Sequence, residues 1–94
     1  VLLGAAGALA EPVSEDDLGE IYESCVTAAA ELSLDAAGRM RYCYCVRDEV
    51  QRRYTAESLA ALRGRVAANA VSDHDHAMRE RIYDACRPDA GPAR

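Results

Sequence analysis

The sequence predicts an all-α fold, a small bundle of about four short helices stapled by two disulfides, and three observations carry that expectation. Apolar residues recur every three or four positions from Leu18 to Cys86, the spacing of a single helix face. No stretch alternates at period two for long enough to make a strand. Four cysteines, Cys25, Cys43, Cys45 and Cys86, stand in a chain of 94 residues. A chain of that length buries only about 60 % of the surface its unfolded form exposes, so covalent staples are an ordinary means of completing its core.

The first helix starts at Ser14, whose hydroxyl is placed to cap it, with Glu15, Asp16 and Asp17 at its positive end. Val13 and Leu18 occupy the two positions of a hydrophobic staple. Its apolar stripe is Leu18, Ile21, Tyr22, Cys25, Val26, Ala29 and Leu32, and Ser33-Leu34-Asp35 breaks the chain and caps the next segment. The second helix runs from about Asp35 to Arg53. Ala36, Met40, Cys43, Val50 and Tyr54 share one face, on which Arg47 intrudes. Thr55 caps the third, with a staple-like pair in Tyr54 and Leu59 and a stripe of Leu59, Leu62, Val66 and Ala70. Ser72 or Asp73 caps the fourth, whose apolar residues are Met78, Ile82, Ala85 and Cys86. The short connections favour antiparallel neighbours.

The ends of the chain fall outside this pattern. Residues 1–10, VLLGAAGALA, are uncharged and apolar and close on Ala8-Leu9-Ala10 before Glu11-Pro12. That is the form of a signal-peptide remnant, the end of an apolar region followed by small residues at a cleavage site. It is too short to cross a bilayer core, which takes about 20 residues in a helix. The domain is therefore expected over 11–87, with a flexible tail over 88–94.

Export bears on the cysteines, because a small domain in an oxidising compartment most simply pairs an even number of them. Cys43 and Cys45 are two residues apart, about 200° around a helix. They point to opposite sides, and each takes its partner from a different neighbour. Two pairings remain: Cys25–Cys43 with Cys45–Cys86, or Cys25–Cys45 with Cys43–Cys86. The first is favoured, because Cys25 and Cys43 are equidistant from the break at Leu34 and lie level in an antiparallel hairpin. Either pairing makes the second helix the central one.

The run YCYCVRDEVQRRYTAESLAAL, with one cysteine before it and one near the chain end, resembles small exported bacterial proteins and lipoproteins carrying a YCxCV…Y[ST]xE signature. Tyr42, Cys43, Cys45, Val46, Tyr54, Thr55 and Glu57 are the matching positions, and the resemblance extends from Cys25 to Cys86. It implies an exported helical domain with paired cysteines, and it brings no activity and no catalytic residue with it.

Composition narrows the function. A formal charge of −5 and a pI near 4.9 exclude the basic face that nucleic acids or an anionic membrane require. No Ser-His-acid constellation and no glycine-rich phosphate loop is present, so no enzyme and no cofactor is expected. Asp73-His74-Asp75-His76 is the most ligand-like cluster, but its histidines diverge at a helix start, and a solvated, acid-capped N-terminus explains it. A reduced CxC with Met40 and Met78 would offer soft ligands to copper(I). The methionines, however, fall on packing stripes and the cysteines are expected in disulfides. With no Phe or Trp, the five tyrosines are expected to supply core bulk. Tyr42 and Tyr44, on different faces beside Cys43, are the candidate interface residues, because tyrosine suits surfaces that are apolar at one end and wet at the other.

The expected role is a non-enzymatic periplasmic or secreted helical module. It binds another envelope protein, as an accessory subunit of a larger assembly, without inserting the mature chain in the membrane. A periplasmic copper-handling protein is the alternative, and a thiol–disulfide carrier the third.

Overall fold

The computed structural model describes residues 10–88. The expectations for the signal-peptide remnant over 1–10 and the tail over 88–94 lie outside the described residues, except at Ala10 and Pro88. Four helices follow one another: α1 Glu15–Ala29, α2 Ala36–Arg53, α3 Ala56–Ala67 and α4 Asp73–Cys86. Among the described residues there is no strand, only one isolated bridge between Pro12 and Thr55.

Each helix begins where a short polar side chain can take up an orphan main-chain N–H. Ser14 accepts from the Asp17 N–H at 3.1 Å, and Asp35 from the Gly38 N–H at 2.7 Å. Thr55 with Ser58, and Ser72 with Asp75, form reciprocal boxes in which cap and third residue satisfy each other's main chain. The α3 terminus is a Schellman turn: the Asn69 N–H donates to the Val66 carbonyl and the Ala70 N–H to the Arg65 carbonyl. Asn69 takes the left-handed conformation this demands, at φ 56°, a region asparagine tolerates better than most side chains.

α2 is the centre of the assembly. It packs against α1 on one side and α4 on the other, and each contact carries a disulfide. Cys25–Cys43 joins α1 to α2 and Cys45–Cys86 joins α2 to α4, both with Cα atoms 5.6 Å apart. This is the favoured pairing. No cysteine among the four is free.

The core gathers around Val13, Leu18, Val46, Val50, Leu59 and Ile82 with Cys86, and Leu18 and Cys43 are fully buried. Val13 and Leu18 thus form the expected staple. α3 joins through Leu59 and through the chain before α1, where the Ala56 N–H donates to the Glu11 carbonyl at 2.9 Å. Arg63 of α3 reaches Asp17 of α1 at 2.9 Å.

Several assignments from spacing are corrected. Met40 is 47 % exposed, and Val46, absent from the expected face, is buried. The two stand about 120° apart around α2. Because α4 covers one flank of the helix, the buried face rotates toward Tyr42, Cys45 and Val46 and leaves Met40 outside. Ala36, Ala70 and Ala85 are exposed, as are Leu32 and Val66. Nor do the tyrosines fill the core: Tyr22, Tyr42 and Tyr54 are half-buried, and Tyr44 and Tyr83 are exposed. Aliphatic side chains and sulfur occupy the centre instead.

Candidate interaction surface

Because the disulfides tie α1, α2 and α4 together, α3 alone has no covalent staple and is held by Leu59 and Leu62 against the core, by the main-chain contact at its N-terminal end and by ion pairs. Between it and the stapled helices runs an open groove of about 790 Å³. Its floor is the buried set Val46 and Val50 of α2 with Ile82 of α4. One wall is α1, presenting Ile21, Cys25 and Ala28 at intervals of four and three, with Leu32 just past its C-terminal end. The other is α3, presenting Leu59, Leu62 and Val66. Four large apolar side chains at the edge are exposed to solvent, Leu32, Val66, Val71 and Tyr83, with Val66 at 58 %.

Charge is divided between the lips. α1 contains five acids and no base, and Glu20 stands on its side of the groove. The α4 side carries His76, Arg79 and Tyr83, which share a face at intervals of three and four. The Arg79 guanidinium lies 4.9 Å from the centre of the Tyr83 ring, a cation–π contact. Burial raises the Tyr42 hydroxyl pKa above its ordinary value, and the nearby Arg79 charge partly offsets that rise.

The two candidate interface tyrosines are separated by the same 200° that separates their cysteine neighbours. Tyr42 lines the groove, half-buried against the core. Tyr44 is 48 % exposed on the opposite side of α2, its ring 4.7 Å from that of Tyr22 at an interplanar angle of 34°. Met40, one turn before Tyr44, is exposed beside it. The structure thus divides the expected surface in two and places most of the exposed apolar area in the groove, not at Tyr44.

The DHDH segment divides as well. Asp73, His74 and His76 are exposed, but Asp75 is only 5 % exposed and belongs to the structure. A fully solvated terminus was expected, and the difference arises because Arg65 reaches across from α3 to pair with Asp75. Among the described residues no three His, Cys, Asp or Glu side chains converge as a metal site would require.

Spacing missed the groove because Leu62, Val66 and Leu32 lie on ordinary amphipathic stripes and read as core. The signal that could have found it is the distribution of cysteines: the third helix has none. No family model, curated protein or solved structure matches the chain.

Proposed function

We propose that this chain is a non-enzymatic, exported interaction module that binds another envelope protein through the groove between α1, α3 and α4, as an accessory subunit of a larger assembly. The observation that carries the reading is the gathering of Leu32, Val66, Val71 and Tyr83, all exposed, on one concave surface. Apolar area concentrated in that way marks an interaction site more than scattered surface residues do. Disulfides between helices persist where thiols are not kept reduced, which supports an exported chain. Among the described residues no helix is long and apolar enough to cross a membrane.

A photo-reactive side chain placed at Val66 in the native host tests the proposal. A single envelope protein is expected to cross-link there, and no cross-linked protein at Val66, whether or not one is captured at Tyr44, would overturn it. Intact mass after alkylation without reductant separates the alternatives. Two disulfides and no modified thiol are expected, whereas free thiols with bound copper would replace the interaction reading by metal handling.

A further inference from the structure

Resting on the reading that the groove binds protein, we infer that its occupant is an amphipathic helix of a second protein, apolar on its inner face and carrying a carboxylate that pairs with Arg79. The main chain decides the secondary structure of the occupant. Both walls and the floor are helices, whose interior N–H and C=O groups are already bonded. An extended peptide laid against them would bury main-chain groups without partners. A helix satisfies its own.

The open side of the groove decides the amphipathicity. With Val66 and Tyr83 exposed along its edge, any occupant keeps one side in water and must be polar there. The walls carry apolar residues at three- and four-residue intervals, the ridges into which another helix packs. The occupant then lies beside α3 as one more member of the bundle.

Charge decides the flank. Arg63 is matched by Asp17 and Glu20, and Arg65 by Asp75. Arg79 stands on the α4 lip with Tyr83 as its contact, and no carboxylate pairs with it among the described residues. A partner carboxylate there would meet a cation already oriented by stacking. A second copy of the chain is the poorer occupant, because among the described residues the large apolar side chains it exposes outside this same groove are only Met40 and Tyr44, too few for the continuous stripe the groove takes.

Two synthetic 18-residue helical peptides with the same leucine stripe, one bearing glutamates and the other lysines on the flank facing α4, test the inference. Both are titrated calorimetrically into the oxidised full chain, and the contact surface is mapped by amide shifts. The glutamate peptide is expected to bind about twofold to fivefold more tightly, the range for a partly exposed charge pair. Shifts should centre on Leu62 and Val66. Arg79→Gln should remove the preference and Arg79→Glu should reverse it, with helix content unchanged. Equal affinities, a preference indifferent to Arg79, binding confined to Tyr44, no binding of either peptide, or a dimer that protects Val66 would each overturn it. Such a failure alongside a cross-linked partner at Val66 leaves the interaction reading standing, whereas loss of the cross-link removes that reading itself.

Discussion

Arg65 and Asp75 form a two-pronged pair: the Nε and one terminal nitrogen of the guanidinium each donate to a different carboxylate oxygen at 2.7 Å. The same carboxylate accepts the Ser72 N–H at 3.0 Å, so one side chain closes the α4 cap and ties it to the last turn of α3. The groove owes its far wall partly to this pair, since α3 has no disulfide.

The pair gives the fold a dependence on pH. The Arg65 guanidinium, then the hydrogen bonds from Ser72, hold the Asp75 carboxyl well below the usual carboxylate range. A depressed folded-state pKa contributes stability that is complete above the unfolded value, about 3.9, and is lost as pH falls through the folded one. Asp75→Asn should therefore lower Tm at pH 7. The gap from the unaltered chain should stay constant down to about pH 4 and narrow below it. A gap that vanished between pH 7 and 5 would contradict the assignment.

Three helical glycines should answer differently to alanine. A Cβ at Gly19 or Gly64 meets nothing within 4 Å, whereas at Gly38 it comes 3.0 Å from the capping Asp35 carboxylate. Gly19→Ala and Gly64→Ala should each stabilise by about 0.5–1 kcal/mol, the helix-propensity difference. Gly38→Ala should gain nothing or lose stability, because it crowds the cap. Denaturant midpoints of the three variants measure this.

The two disulfides should differ in consequence and in cost. Their sequence separations of 18 and 41 residues give roughly 3 and 4 kcal/mol from loop closure, which alone ranks Cys45–Cys86 higher. Cys43, however, is fully buried in the seam between α1 and α2, whereas Cys86 keeps 7 % exposure at the end of α4, so removing the more completely packed sulfur adds the larger cavity term. The double replacement of Cys25 and Cys43 by alanine should therefore lower Tm further than that of Cys45 and Cys86. Hydrogen exchange should show α4 released in the second variant while α1 and α2 stay protected. Uniform loss of protection in both would contradict a central, doubly stapled α2.

The parts of the fold that spacing reveals are those fixed by local chemistry. Ser14, Asp35, Thr55 and Ser72 cap their helices through side chains within three residues, so their roles are visible along the chain. The opposed directions of Cys43 and Cys45 follow from helix geometry alone, and hairpin register favours, of the two pairings left, the one the structure shows. Which side of a stripe is covered depends on the neighbour, and that is where spacing fails. Met40 and Val66 have the periodicity of core residues, yet α4 displaces the first to the surface and the separation of α3 opens the second to solvent. Asp75 resembles any acid at a helix start, and only its partner ten residues earlier buries it.

The most direct test of the groove as the binding surface compares Val66→Gln with Tyr44→Ala in the native host, reading recovery of the protein that cross-links at Val66 together with Tm. Val66 is exposed and Tyr44 lies across α2, so both variants should melt within a few degrees of the unaltered chain, as surface changes do. The account predicts that Val66→Gln loses the partner and Tyr44→Ala keeps it. Retention by Val66→Gln with loss by Tyr44→Ala would contradict it and move the interface to the Tyr22–Tyr44 face.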